Sequence, residues 1–497
     1  MNNLLDLIQQ APGTATAVIL SETGTKVSYD SLRAQVASVA DAFASLGIAP
    51  GDRVAMSLPN GLDTIVCFLA ASVAGTAAPL NPGYRYDEFS FYMDDTNAKL
   101  LVVPPQGGDD ARRAAEERKI PVVVATVDNG EVKITPSSKG KTAGPPDPDG
   151  VALVLHTSGS TGRPKRVPLK HRNLAVSAQN IIKTYSLSPS DVALIAMPLF
   201  HVHGLVASTL ATLASGGTVV VPPKFNPLSF WRTVRDTRST WYSAVPTIHS
   251  LLLARATSER PQGAENLRFI RSCSAALSPE MMHNLESAFG APVLEAYGMT
   301  EASHQMASNP LPPSVRKPGS VGPGTGVKIA IMDAEGNLLP SGTAGEVVIQ
   351  GANVIEGYEN NPEANATSFT KGWFRTGDQG ILDAESYLQL TARIKELINR
   401  GGEKISPREI DEVLMTHPCI SEAVSFGVPH QTWGEEVAAA VVLKGAASEP
   451  DLIAFCKERL ADFKRPKKIH IVETIPRTAT GKIQRKAVAA AFSEGAK

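Results

Sequence analysis

The chain lacks the features that would place it outside the cytosol or on a charged polymer. Only four cysteines occur in 497 residues. Cys67, Cys273, Cys419 and Cys456 form no C-x-x-C pair and no metal-ligand spacing, which argues against a disulfide scaffold and for reduced thiols. No apolar run reaches the roughly 20 residues that cross a bilayer. The most apolar stretch, Ile65 to Leu80, is diluted by Ala, Ser, Gly and Thr and reads as a buried helix followed by a strand. An excess of one charge is also missing: 48 Lys and Arg face 49 Asp and Glu, a net charge of -1. No global field therefore draws nucleic acid or an anionic membrane. Met1 to Pro12 contains Asp6 and no Lys or Arg, unlike a signal or transit peptide. The last residues, Glu494-Gly495-Ala496-Lys497, are not a peroxisomal address. The expectation is a cytoplasmic protein with small-molecule substrates as partners, and no nucleic acid or membrane.

What is present is an ordinary globular composition, 43% hydrophobic and 20% charged. The length exceeds what one hydrophobic core supports, so two or more domains are expected. Val54 to Leu58, Leu100 to Val103 and Val122 to Val124 read as strands, and Leu62 to Ala74 as a helix. That alternation predicts an α/β fold with βαβ units and parallel sheets. Lys139 to Gly150, rich in Pro, Gly and Lys, reads as an exposed linker into the apolar strand Val151 to Leu155. Beyond about residue 320, short strands at Lys328 to Met332, Gly345 to Gln350 and Gly380 to Leu390 suggest a small β-rich subdomain. From Ile394 onward a helix at Pro407 to Leu414, a strand at Val437 to Leu443 and a helix at Pro450 to Leu460 suggest a small α+β C-terminal domain.

Behind the strand Val151 to Leu155 stands His156-Thr157-Ser158-Gly159-Ser160-Thr161-Gly162-Arg163-Pro164-Lys165. Its glycines let backbone approach a phosphate, and its hydroxyls and amides can donate to phosphate oxygens. Lys165 adds positive charge. A helix is expected from near His171. The kinase-type P-loop G-x-x-x-x-G-K-[ST] is absent. Alone, such a cluster is a surface turn more often than a phosphate site; the strand before it and the blocks below change that balance.

The string Thr157 to Lys165 resembles the signature loop of the adenylate-forming superfamily, which contains acyl-CoA synthetases, carrier-protein adenylation domains and luciferases. The family's usual Gly after the Lys is Arg166 here. Further blocks resemble that family in its own order. These are Glu295-Ala296-Tyr297-Gly298-Met299-Thr300-Glu301, Thr376-Gly377-Asp378, Thr391-Ala392-Arg393-Ile394-Lys395-Glu396 with Ala392 for the usual Gly, and Pro476 to Arg485. The resemblance covers nearly the whole chain. It implies ATP or AMP contacts at Thr157, Ser158, Gly159, Ser160, Thr161, Gly162, Lys165, Ala275, Glu295, Ala296, Tyr297, Gly298, Thr300, Asp378 and Arg393. It implies Mg²⁺ on Glu301, as suits a hard cation bridging phosphate oxygens. Lys482, His201 and Thr300 are the implied catalytic residues. An ammonium from Lys482 would stabilise charge building on phosphate oxygens in the transition state.

The family implies an N-terminal AMP-binding domain over residues 1–394 and a mobile C-terminal domain over 395–497, rotating about a hinge at Lys395. ATP, Mg²⁺ and coenzyme A are the implied cofactor and substrates, with CoA passing Gly401 and Gly402. The acid would lie among His201, His203, Ser274 and His304. Hydrogen-bonding residues there suggest a substrate with a second polar group, because an aliphatic tail would leave donors unpaired. Arg268 to Ser274, Ala244 to His249, His201 to Leu205 and Ser308 to Pro312 are similar to one branch of the family, the oxalate–CoA ligases of plants and fungi. Alternatives are a ligase for another short or medium-chain acid, a stand-alone enzyme loading a carrier protein, or a luciferase-like oxygenase. A non-catalytic binding protein on this fold fits poorly with so complete a set of blocks.

Overall fold

The computed structural model describes residues 3–138, 140–157, 164–257, 259–478 and 483–493. The chain falls into two compact units, Met1–Lys328 with Ile349–Phe374, and Ile329–Val348 with Arg375–Lys497.

The first unit is α/β and holds two sheets. One has eight strands, in the spatial order His304–Ser308, Val293–Met299, Phe269–Ser272, Trp241–Ala244, Val192–Ile195, Thr218–Val221, Thr16–Leu20 and Lys26–Ser28. From Val293–Met299 to Thr16–Leu20 every neighbouring pair is parallel. After Val192–Ile195 the next strand goes to one side and Trp241–Ala244 to the other. Such a reversal opens a crevice beyond the carboxyl ends of the strands, where α/β sheets place ligands. Central strands such as Trp241–Ala244 and Phe269–Ser272 are buried at all four positions, as expected where helices cover both faces.

The second sheet has seven strands, ordered Glu131–Thr135, Val122–Asp128, Ala98–Val103, Arg53–Met56, Thr76–Pro79, Val151–Thr157 and Lys165–Lys170. The expected helix is found at Leu62–Ala74, almost wholly buried between Gly61 and Gly75. The expected linker lies against the protein at two points: the amide of Lys141 donates to Ser45 and that of Ala143 to Asp41. The helix expected from near His171 is found at His171–Tyr185. Before it stands an antiparallel strand, Lys165–Lys170, unmarked in the sequence, which pairs with Val151–Thr157 and sets Thr157 opposite Lys165.

In the second unit, residues 375–382 and Leu388–Arg393 form an antiparallel hairpin with Asp378 opposite Arg393. The stretch expected as one strand, Gly380 to Leu390, is thus two strands around a turn at residues 383–387. Farther on, Ile420–His430 and Gly434–Leu443 pair antiparallel, and Lys468–Ile471 adds in parallel to the latter. Side chains alternate across this sheet. Val437, Ala439 and Val441 pack with Ile410, Leu414 and Leu452 on one face, and Ala438 and Ala440 with Phe426 and Val488 on the other. The helices at Pro407–Met415 and Glu449–Lys457 lie close to where the sequence put them. Lys395 is exposed in the 3₁₀ turn Ile394–Glu396 within this unit.

Candidate active site

The strand ends of the eight-stranded sheet bring four of the predicted acid-site residues together. His201 and His203 follow Val192–Ile195, Ser274 follows Phe269–Ser272, and His304 opens the strand after Val293–Met299. His203 is fully buried at the start of a π-helical turn, His203–Leu210, a geometry that recurs at functional sites. Gly204 permits it: a Cβ there would sit 2.3 Å from the carbonyl oxygen of Pro198.

Both imidazole nitrogens of His203 are engaged. Nδ1 lies 3.0 Å from Ser274 Oγ and Nε2 lies 2.6 Å from Ser243 Oγ. The amide of His203 donates to His201 Nδ1 at 3.3 Å. The rings of His203 and His304 stand 5.2 Å apart. Ser274 and His304 have positive φ, +73° and +108°, which is uncommon for non-glycine residues and clusters at ligand sites. The loop carrying His304 is held from behind. Ser303 Oγ donates to the Asn353 carbonyl, Asn353 Nδ2 donates to that of Ala302, and Ser177 Oγ to that of Ser303.

One residue at the centre of this cluster has no role in the sequence reading. Arg271 lies on Phe269–Ser272 beside Ser243 of the neighbouring parallel strand and is 0% exposed. Its Nε donates to Tyr185 Oη at 2.9 Å. Nη1 donates to Ser243 Oγ at 2.9 Å and reaches His203 Nε2 at 3.4 Å. Nη2 donates to Gln305 Oε1 at 3.0 Å and reaches His304 Nδ1 at 3.4 Å. Burial raises the pKa of the Tyr185 phenol, which keeps it neutral. Among the described residues Arg271 forms no ion pair. Its only sequence signal is an arginine inside a short apolar strand.

The predicted nucleotide block lies on Val293–Met299 and the 3₁₀ turn Thr300–Ala302. Glu295 is buried, and its Oε1 accepts from the amide of Leu277, which ties the segment carrying Ala275 to the strand. Ala296 and Tyr297 are buried and Gly298 is partly so. Gly298 faces the backbone of His304, where a Cβ would meet the carbonyl oxygen at 2.2 Å. Thr300 and Glu301 are mostly buried. Glu301 Oε1 accepts from the Tyr358 hydroxyl at 2.7 Å, and Lys165 Nζ sits 4.3 Å from the Tyr358 ring centroid. Tyr358 therefore touches two predicted site residues and was itself missed.

Thr157 ends its strand, and Ser158, Gly159, Ser160, Thr161 and Gly162 lie outside the described residues. On the strand paired with that of Thr157, Arg166 is anchored to Asp95: Nε lies 3.2 Å from Asp95 Oδ2, which also meets His156 Nε2 at 3.0 Å. Among the described residues no group of three or more His, Cys, Asp or Glu could hold a metal by itself. A lone buried carboxylate at Glu301 still fits Mg²⁺, which commonly binds one or two carboxylates together with substrate phosphates.

In the second unit, Asp378 is mostly buried and pairs with Arg393 Nε at 2.8 Å. Gly401 and Gly402, both at positive φ, form the turn between Ile398–Arg400 and Glu403–Ile405. The amide of Gly401 donates to the Trp433 carbonyl. Lys482 lies outside the described residues. On either side of it, the amide of Gln484 donates to the Pro476 carbonyl, and Arg485 pairs with Asp411 and Glu396 at 2.8 and 3.1 Å.

The family model described as AMP-binding enzyme matches residues 7–359, and that for its C-terminal domain matches residues 409–482. The chain belongs to the AMP-binding enzyme family. The oxalate–CoA ligase of Arabidopsis thaliana is 49% identical, over 90% of this chain and 90% of that protein. The oxalate–CoA ligase of Saccharomyces cerevisiae is 44% identical, over 97% and 95%. Among solved structures, ATP-bound MatB from Rhodopseudomonas palustris superposes with a TM-score of 0.92 at 30% identity, covering 100% of both chains. All four cysteines of this AMP-binding enzyme are free. None of its described helices is long and apolar enough to cross a membrane.

Proposed function

We propose that this AMP-forming acid–CoA ligase acts on oxalate and releases oxalyl-CoA. The observation that carries the reading is the fully polar, buried cluster of His203, Ser243, Arg271 and His304, with Ser274 at its accessible edge. The buried groups already bond one another, so what remains for a ligand is the Ser274 hydroxyl and the charge of Arg271, uncompensated among the described residues. A monocarboxylic acid with an apolar tail would cover both without pairing them, at about 1–3 kcal/mol per lost hydrogen bond. A second carboxylate pairs them. Relatives at 44–49% identity that are oxalate–CoA ligases support the same substrate.

In the first half-reaction one carboxylate oxygen attacks the α-phosphorus of ATP, the bond to the β-phosphate oxygen breaks, and pyrophosphate leaves. Thr300 and the phosphate-loop hydroxyls hold the phosphates, and Tyr297 and Gly298 flank the adenine. Asp378 takes the ribose hydroxyls, with Arg393 beside it. Lys482 brings positive charge to the phosphate oxygens on which negative charge builds. Glu301 would hold Mg²⁺, which would supply charge neutralisation of the triphosphate. In the second half-reaction the CoA thiolate attacks the acyl carbonyl and AMP leaves. The two steps need different groups around one carbonyl, which is the use of a rotation about Lys395 that brings the Gly401–Gly402 turn to the pantetheine arm. His201 lines the path of the thiol.

Incubation with oxalate, ATP, Mg²⁺ and CoA should yield AMP, pyrophosphate and a thioester with the mass of oxalyl-CoA. Lys482→Ala should lower adenylation by orders of magnitude; an undiminished rate would remove the mechanism.

A further inference from the structure

We infer that Arg271 is a positioning residue: it fixes the protons of His203 and His304, and through His203 it turns the Ser274 hydroxyl toward a substrate group that bears no proton, the second carboxylate of a dicarboxylic acid. The inference rests on the oxalate reading for its substrate and on geometry alone for its protons.

A guanidinium has five N–H donors, no acceptor, and does not lose its charge in proteins. Arg271 has five acceptors around it, on Tyr185, Ser243, His203, Gln305 and His304. None of its donors remains for a substrate, so it acts through its neighbours. Two of those acceptors are imidazole nitrogens. A nitrogen that accepts carries no hydrogen, which leaves His203 Nε2 and His304 Nδ1 bare. Protonating either ring fully would set a second cation 3.4 Å from the guanidinium, in a site that water does not reach.

The consequence runs outward in one direction. With Nε2 bare, the 2.6 Å contact between Ser243 Oγ and His203 Nε2 has the Ser243 hydroxyl as donor, while the same oxygen accepts from Arg271. The single ring proton of His203 is then on Nδ1 and points at Ser274 Oγ, 3.0 Å away. Ser274 is partly exposed, unlike the residues behind it. Because Ser274 Oγ accepts from His203, its hydroxyl hydrogen is not spent on that ring and can turn to a ligand. On the other arm the proton of His304 is on Nε2, the side that Cys273 Sγ approaches at 4.0 Å. Such same-direction chains polarise one another and favour an anionic acceptor at their open end. The ligand also supplies the counter-charge that Arg271 lacks among the described residues. Of the titratable groups, Arg271 meets both rings, Cys273 approaches His304, the His203 amide reaches His201 Nδ1, and the two rings stand 5.2 Å apart.

The test is the histidine ¹⁵N spectrum of the whole enzyme labelled at histidine, with His203→Gln and His304→Gln as assignment variants. The expected result is His203 as the Nδ1–H tautomer and His304 as the Nε2–H tautomer, neither titrating between about pH 5 and 8. In Arg271→Met at least one ring should change tautomer or titrate in that range. The same variant should raise KM for oxalate at least about tenfold while KM for ATP stays within about threefold, and Arg271→Lys should rescue it only in part. Wild-type His203 as Nε2–H, His304 as Nδ1–H, or either as imidazolium at neutral pH overturns the inference, whatever the variants do. The expected tautomers in an enzyme that ignores oxalate overturn the substrate instead and leave the proton assignment standing.

Discussion

Tyr358 donates its hydroxyl proton to Glu301 Oε1 at 2.7 Å, so the carboxylate assigned to Mg²⁺ is aimed by a residue 57 positions away. Its ring also carries the Lys165 ammonium. Tyr358→Phe keeps the ring and removes the proton donor, and a hydrogen bond to a charged group is worth about 1.5–3 kcal/mol. The expected outcome is about a tenfold rise in the Mg²⁺ concentration for half-maximal pyrophosphate release, with KM for ATP little changed. Tyr358→Leu removes the cation–π contact as well and should also raise KM for ATP. An unaltered Mg²⁺ requirement in Tyr358→Phe would contradict the assignment.

Arg166 occupies a position where the family usually has glycine, and its side chain pairs with Asp95. Arg166→Gly breaks a mostly buried pair and should cost about 2 kcal/mol, read as a fall of several degrees in Tm. KM for ATP should stay within about threefold. A large loss of ATP affinity with unchanged Tm would show that Arg166 serves phosphate directly.

His171 links three elements: Nδ1 accepts from the amide of Leu4, and Nε2 donates to the Ser72 carbonyl. Burial depresses its pKa from 6.5 to about 4. The unfolded chain then binds the proton first, so this stabilisation is complete above about pH 6.5 and is lost as pH falls toward 4. The shift is worth about 3 kcal/mol. Urea unfolding should weaken across that window, and His171→Gln should flatten part of the slope. A slope identical to wild type would contradict the linkage.

Gly298→Ala would press a Cβ against the His304 carbonyl at 2.2 Å. The strand bearing His304 must move by about an ångström, a displacement that can cost about 10²-fold in rate. Both half-reactions share this wall, so pyrophosphate release and thioester formation should fall together. Activity within about threefold of wild type would show that the close approach has no bearing on the site.

Much of this was legible in the sequence where periodicity and glycine punctuation agree. The helix Leu62–Ala74 was found at both ends because glycines flank an unbroken apolar run. The strand Lys165–Lys170 was not, because Lys-Arg-Val-Pro-Leu-Lys is basic and contains proline. Only Val167 and Leu169 are buried in it, the alternation of an edge strand that tolerates Pro168. The acid-site histidines and Ser274 came from resemblance, and the fold brings them together. Arg271 and Tyr358 escaped because their partners are distant in sequence: Tyr185 is 86 residues from Arg271, and no local pattern marks a guanidinium that serves two rings.

The most direct measurement is kcat/KM for pyrophosphate release with ATP, Mg²⁺ and CoA across oxalate, malonate, acetate, octanoate and coumarate. Oxalate should exceed octanoate and coumarate by at least about 10²-fold, since an acid that leaves the Ser274 hydroxyl unpaired and the Arg271 charge uncompensated forfeits several kcal/mol. A preference for octanoate or coumarate would keep the adenylate chemistry and contradict the polar acid pocket on which the substrate assignment stands.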